Sequence, residues 1–216
     1  TLYVHGFATP LNQPGRQVDV TSWSETIAAH DADGDGLISP DEFPDERTRG
    51  FFDFVDLDVD GFLEEASWNY YAAAMASLNG MVAIRLGGSG DMTDESVVWR
   101  YHRSVPQLPS PLLYEGVLYM INDGGIATSF EPETGEVITR GRIRGAIDSY
   151  YASPIAADGK VFFVSEMGKV AVVAPGGGFD VVALNDLGSP AYATPAIADG
   201  RIYIRTEETL WAFGEE

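Results

Sequence analysis

Thr194-Pro-Ala-Ile-Ala-Asp-Gly200-Arg-Ile-Tyr-Ile204 is the stretch from which the fold of this chain can be read. A proline sets an extended entry, a short run of small and β-branched residues follows, Asp-Gly makes a tight turn, and Arg-Ile-Tyr-Ile returns as a second strand. The same eleven positions occur twice upstream without gaps, as Ser153-Pro-Ile-Ala-Ala-Asp-Gly159-Lys-Val-Phe-Phe163 and Ser110-Pro-Leu-Leu-Tyr-Glu-Gly116-Val-Leu-Tyr-Met120. Pro111, Pro154 and Pro195 are separated by 43 and then 41 residues. A repeat of that period is a supersecondary unit that cannot bury its apolar faces alone, so successive units must stack.

Working outward, each unit gains a third strand (Ile126 to Phe130; Val170 to Val173; Leu210 to Phe213). The first two also gain a fourth (Val137 to Ile143; Val181 to Leu187). Four strands per unit at this spacing predict propeller blades. An earlier unit is assembled from Thr1 to Gly6, where Leu2, Val4 and Phe7 with Tyr3 give a β pattern, together with Met81 to Leu86 and Val97 to Tyr101. The glycine-rich Leu86 to Asp94 joins the last two; its Gly87-Gly-Ser-Gly90 lacks the Lys-Ser or Lys-Thr of a phosphate loop and opens no helix, so it reads as a hairpin connection. The expected fold is mainly β: a partial β-propeller of about four blades of four-stranded antiparallel sheet. The first blade lacks its first strand and the last its fourth. Residues 1–8 and 79–216 form this part, and residues 9–78 an α-helical EF-hand pair inserted in the first blade.

The insert is read from Asp31-Ala-Asp-Gly-Asp-Gly-Leu-Ile-Ser-Pro-Asp-Glu42. Calcium takes ~6–8 oxygens, and a twelve-residue loop supplies them from fixed positions. Asp31, Asp33 and Asp35 offer carboxylates at positions one, three and five, and Gly36 allows the sharp turn. The Leu37 carbonyl and Ser39 follow at seven and nine, and Glu42 closes with two oxygens. A second loop offers Asp56, Asp58, Asp60, the Phe62 carbonyl and Glu64, but has Ser67 where the bidentate glutamate belongs, which predicts weaker binding. Ile38 and Leu63, at matching positions, are expected to meet in the core. Ser22-Trp-Ser-Glu25 is a capping box opening the helix that enters the first loop, with Trp23 and Ile27 on one face. Ala8 to Asp19, with Pro10, Pro14 and Gly15, reads as a loop. Between the calcium loops, Pro44 and Gly50 divide a linker too short for two full helices, leaving a short entering helix with Phe51, Phe52 and Val55. Glu65 to Ser77, with Trp68, Tyr71, Ala72 and Met75 at helical spacing, is the last helix.

Composition narrows the functional classes. The chain has 216 residues, 45% hydrophobic, with a formal charge of −20, enough apolar content for a sizeable core. Thr1 to Gly80 carries 15 acids against 3 bases, much of it in the two calcium loops. Such a surface repels phosphate backbones and anionic lipid, so neither nucleic acid nor membrane insertion is expected. Zero cysteines exclude disulfides, thiolate metal sites and a cysteine nucleophile. His5, His30 and His102 lack zinc spacing. Ser149, Ser153 and Asp148 form no nucleophile elbow. Tyr151 and Tyr192, with Arg144 nearby, precede inner strands, where they serve either blade packing or the mouth of a central channel.

The repeats, with Glu131-Pro-Glu-Thr-Gly135 between third and fourth strands, resemble the quinoprotein-like (PQQ-like) β-propellers. Paired calcium loops followed by Gly-Met-Val-Ala-Ile-Arg and Tyr-Ala-Thr-Pro-Ala-Ile-Ala-Asp-Gly look like bacterial, exported members of that group carrying an EF-hand insert. The resemblance implies a periplasmic or extracellular protein. Two departures stand out: Ser67 in the second loop, and Thr139 where the family repeat places a tryptophan four residues after its Thr-Gly, which predicts a weakened contact between blades. The function expected is a calcium-binding, non-catalytic scaffold for a protein or small-ligand partner, with a homodimer closing the ring. The alternative is a fragment of a quinoprotein dehydrogenase, whose quinone ligands map onto no residue here.

Overall fold

The computed structural model describes residues 1–8, 18–43, 49–92 and 95–214. The loop expected around Pro10, Pro14 and Gly15 and the break at Pro44 lie outside them. The chain divides into two compact units, Thr1–Phe7 with Asn79–Glu216 and, between them in sequence, Ala8–Leu78.

In the first unit, four antiparallel sheets follow one another as meanders. They are β1 (Leu2–Gly6), β2 (Gly80–Ile84) and β3 (Val97–Tyr101); β4 (Leu112–Tyr114), β5 (Val117–Ile121), β6 (Ile126–Phe130) and β7 (Val137–Arg142); β8 (Ile155–Ala157), β9 (Lys160–Val164), β10 (Lys169–Val173) and β11 (Val181–Asp186); and β12 (Ala196–Ala198), β13 (Arg201–Arg205) and β14 (Leu210–Gly214). Within each sheet the spatial order is the chain order. The turns Glu115-Gly116, Asp158-Gly159 and Asp199-Gly200 all take positive φ at both residues, the backbone of the tight hairpin that the sequence announces.

The sheets stack through their faces. Met81, Tyr3, Trp99 and Tyr101 of the first sheet pack on Leu118, Met120 and Phe130 of the second. Val117, Tyr119 and Ile121, on the opposite face of β5, pack on Val161, Phe163, Ala171 and Val173 of the third. Val164, Val170 and Phe162 then meet Ile202, Ile204 and Trp211 of the fourth. A strand covered on both sides is apolar at every position, which is why β5 reads Val-Leu-Tyr-Met-Ile without alternation and is buried throughout.

Polar ties repeat from sheet to sheet. The backbone N–H of Ser110 donates to the Ser153 hydroxyl (2.9 Å), and that of Ser153 to the Thr194 hydroxyl (3.0 Å), so the first residue of each repeat anchors the one before it. Tyr150 N–H donates to the Asp123 carbonyl and Ala191 N–H to the Glu166 carbonyl, fastening each turn between second and third strands to the connection that follows its sheet. These connections pass so close to Gly125 and Gly168, both at positive φ, that a Cβ there would stand 2.5 Å from the Asp148 carbonyl oxygen and 2.2 Å from that of Ser189. Only glycine fits.

In β1 the half-buried residues are Tyr3 and His5, while Leu2 and Val4 are 45% and 40% exposed. Both faces of this strand carry apolar groups. Two expectations are corrected. In the helical unit Phe51 stands before its short helix, 61% exposed, while Phe52 and Val55 are buried. The other concerns Thr139. A register irregularity falls at the same place in three sheets, between Ala83/Ile84, Ser129/Phe130 and Val172/Val173, so Trp99, Thr139 and Ala183 occupy one structural position. Trp99 donates its indole N–H to the Pro132 carbonyl (2.9 Å). The small Thr139 instead lets Pro175-Gly-Gly-Gly178 of the third sheet approach. The Ser129 hydroxyl donates to the Gly177 carbonyl (2.6 Å), Gly176 N–H donates to the Tyr119 hydroxyl (3.1 Å), and Phe179 sets its ring edge-on to Tyr119 and Phe163. The contact is rebuilt from the other side rather than lost.

The second unit contains α1 (Trp23–His30), α2 (Phe52–Val55) and α3 (Glu65–Ala76). Ser22 caps α1 in a full capping box with Glu25. Its core joins Ile38, Phe52, Val55, Leu63 and Trp68, with Trp23 and Ile27 against them, and the Trp68 indole N–H donates to the Thr21 carbonyl (2.8 Å).

Candidate metal centre

Each acidic loop leaves the end of a helix: Asp31 is the C-cap of α1 and Asp56 that of α2. The loops are clamped together at their eighth positions. Ile38 N–H donates to the Leu63 carbonyl (3.0 Å) and Leu63 N–H to the Ile38 carbonyl (2.8 Å), in a two-residue antiparallel bridge whose side chains are both fully buried. This fixes two loops side by side with little chain.

The first loop winds around its own carboxylates. Asp31 accepts from the N–H groups of Gly34 (2.6 Å) and Gly36 (3.1 Å), Asp33 from that of Asp35 (3.1 Å), and Asp35 from that of Leu37 (2.8 Å). Gly34 and Gly36 take φ of 78° and 85°, as such winding requires. Carboxylate oxygens of Asp31, Asp33 and Asp35 lie within 4.8 Å of one another. Glu42 folds back over the loop: one oxygen accepts from Ala32 N–H (3.0 Å), the other from the N–H and the hydroxyl of Ser39 (both 2.8 Å). The Ser39 bonds, then that from Ala32, hold its carboxyl down at about 2, well below its ordinary 4.5. Glu42 is thus an anion at every physiological pH.

The second loop repeats the winding with less. Asp56, only 4% exposed, accepts from the N–H groups of Val59 and Gly61 (both 2.9 Å), and Asp60 from that of Phe62 (2.9 Å). Asp56, Asp58 and Asp60 again converge within 4.8 Å. Glu64, at position nine, is also the N-cap of α3: one oxygen of its carboxylate accepts from the N–H (3.0 Å) and, in a very short bond, the hydroxyl of Ser67. The Ser67 hydroxyl is the chief reason that Glu64 titrates low. Desolvation, then the charges of Asp60 and Glu64, push Asp58 up.

Among the described residues the ion pairs are Arg49 with Asp41 (3.5 Å) and Lys160 with Asp158 (2.6 Å), so no basic side chain neutralises either triad. Oxygen donors only, three carboxylates per loop, and an enforced positive-φ turn fit a hard divalent cation of calcium's size. The structure gathers the six aspartates expected from sequence into two triads, closes the first loop with Glu42 and Ser39, and sets Leu37 and Phe62 at the turn between triad and bridge. Missed from sequence were the Ala32 N–H, which anchors Glu42, and the pairing of Glu64 with Ser67. Glu-x-x-Ser at a helix start was the available signal.

In the sheet unit, Tyr151 and Tyr192 stand at equivalent places in successive repeats with ring centroids 5.6 Å apart, and both stay more than a third exposed. Each holds the other as packing.

Comparison with known proteins finds no matching family model and no matching curated protein. Among solved structures the chain is similar to BamB from Moraxella catarrhalis, at 17% identity and a TM-score of 0.49, covering 62% of this chain and 40% of that one. It is similar to the quinohemoprotein alcohol dehydrogenase ADHIIG from Pseudomonas putida, at 13% identity and a TM-score of 0.46, covering 59% of this chain and 25% of that one. The computationally designed Ika4 protein matches at 12% identity and a TM-score of 0.48, over 64% of this chain and 86% of that one. The chain therefore spans well under half the length of the natural proteins it matches.

Proposed function

We propose that this protein is a calcium-binding scaffold: a partial β-propeller whose EF-hand pair is held in shape by the ion. The observation that carries the reading is the pair of aspartate triads, neutralised by no basic side chain among the described residues, joined through the Ile38–Leu63 bridge and wound by loop N–H groups. Calcium removes the repulsion within each triad, and the bridge passes that stabilisation to the core around Phe52 and Trp68. In the first loop Asp31, Asp33, Asp35, Glu42, Ser39 and the Leu37 carbonyl hold the ion. In the second, Asp56, Asp58, Asp60, the Phe62 carbonyl and Glu64 bind it more weakly, since Ser67 brings no charge and engages one oxygen of Glu64.

The role is structural rather than that of a sensor. Sensor EF-hands expose an apolar groove between two full helix pairs, and α2 has a single turn. The sheets present a surface to a partner. The protein works in a calcium-rich compartment outside a bacterial cytoplasm, and two copies close a ring of sheets.

Calcium calorimetry tests the metal assignment. The native chain is expected to show one tighter and one weaker site. Glu42→Gln, which removes a bidentate anion while keeping its shape, is expected to lose the tighter one. Identical isotherms for the two proteins would refute it.

A further inference from the structure

One position departs from the pattern that the repeat keeps at its internal boundaries. Counted from the register irregularity of each sheet, His5 in β1 takes the place of Ile121 in β5 and Val164 in β9. Those two are buried and apolar, each packed toward the sheet that follows. His5 brings an imidazole to the same face, half-buried, in one row with Met81 and Tyr101. An ionisable ring in an apolar seam is costly to charge.

Polar groups of the second sheet, and of the connection leading to it, close around this ring. The imidazole is hydrogen-bonded to the carbonyl of Pro106, a buried residue. The next residue, Gln107, donates its N–H to one carboxylate oxygen of Asp123 (3.0 Å), in the turn between β5 and β6. Two buried atoms then have no hydrogen-bond partner among the described residues, Nδ1 of His5 and Oδ1 of Asp123. The ring proton therefore sits on Nε2, toward Pro106, and Nδ1 is bare. Burial holds His5 below its ordinary 6.5, against the Pro106 bond and the charge of Asp123. The other titratable and charged groups of this boundary are engaged or more distant. The Arg142 guanidinium donates to the Gly124 carbonyl, that of Arg140 to the Ser104 hydroxyl (2.7 Å), and the His102 ring is bonded to the Asn79 carbonyl (2.9 Å). Arg103 is exposed, and Tyr101 stands two strands from His5.

We propose that His5 and Asp123 form an acid-released latch between the first and second sheets, closed while the imidazole is neutral and loosened when Nδ1 takes a proton. The part released is the His5 end of β1, which pairs with β2 alone; the other end is tied by Tyr3, whose hydroxyl donates to the Pro132 carbonyl (3.1 Å). The loosened state, its ring in water, takes the proton at about 6.5, and the closed state only below that. The closed boundary thus has its full stability above about pH 6.5 and loses it as the pH falls toward the closed-state value. The latch is independent of the calcium loops.

The imidazole resonances of the full chain are followed by NMR between about pH 8 and about pH 5, the range in which histidine titrates. His5 is expected to titrate below 6.5, with its proton on Nε2 above the transition. Asp123→Asn removes the attracting charge and is expected to lower that titration further. Amide exchange in β1, taken relative to β10 of the third sheet, is expected to quicken about threefold to tenfold from pH 7.5 to pH 5.5. In His5→Ile, which restores the residue type of β5, this acceleration is expected to vanish. His5 titrating at or above 6.5 overturns the proposal, as does an acceleration that His5→Ile retains. A His5 titration that Asp123→Asn leaves unchanged or raises overturns the part assigned to Asp123. If a variant does not fold, the titration of the native ring decides.

Discussion

Val59 shows how a single residue can be out of keeping with the loop that contains it. It occupies the position of Gly34 in the first loop and takes the same left-handed backbone, φ 59° against 78°. For a β-branched residue that conformation costs ~1–2 kcal/mol, and at 79% exposure no packing offsets it. Glycine adds ~0.5–1 kcal/mol of unfolded-state entropy. Val59→Gly is therefore expected to stabilise the helical unit by about 0.5–1 kcal/mol in urea denaturation; a loss of stability would show that the strain is absent. The acidic positions were legible because each carries a charge at fixed spacing. The strain at Val59 was not, since valine signals a strand and only alignment with Gly34 exposes the turn. Glu64 was legible as an acid but not as a cap, because both roles use the same carboxylate and only geometry shows that Ser67 holds it.

At the scale of elements, the strands were legible where period and turn agree. Asp-Gly or Glu-Gly turns, repeated at near-constant spacing, mark β4 through β14 to within a residue or two. Which faces pair was harder to read, because strands buried on both sides lose their alternation, and β1, with apolar residues on both faces, carries no marker of the covered one. The connection at Pro175 to Phe179 is the clearest case. A run of three glycines reads as a bland loop, yet it is the close approach of Gly177 to Ser129 that lets Phe179 reach the core between sheets. Phe179 is partly buried between Tyr119 and Phe163, so Phe179→Ala is expected to cost about 2 kcal/mol, below the ~3–5 of a fully buried ring. Thermal melting checks it. A change within a few tenths would mean that the small Thr139 leaves a gap which the neighbouring rings close unaided.

Among the described residues of the sheet unit, one sheet face and one strand edge lack a partner from that unit. On the first sheet, Leu2, Val4 and Val98 are each at least 40% exposed, on the face opposite Trp99. On the last, β14 has no strand on its outer edge among the described residues. Apolar faces and open edges invite association, and the two-fold pair proposed above would cover them. Light scattering at micromolar concentration is expected to give about twice the 23.3 kDa of the chain, falling on dilution; 23.3 kDa at every concentration contradicts the dimer. The central claim concerns the ion, and amide hydrogen exchange reads it in each unit separately. Calcium at a hundred times its dissociation constant adds RT ln(1 + [L]/Kd), ~2.7 kcal/mol. Exchange at Ile38 and Leu63, the two amides of the bridge, should therefore slow by about a hundredfold, while Met120 in the sheets exchanges as before. Equal rates at Ile38 and Leu63 with calcium and with chelator would contradict the account.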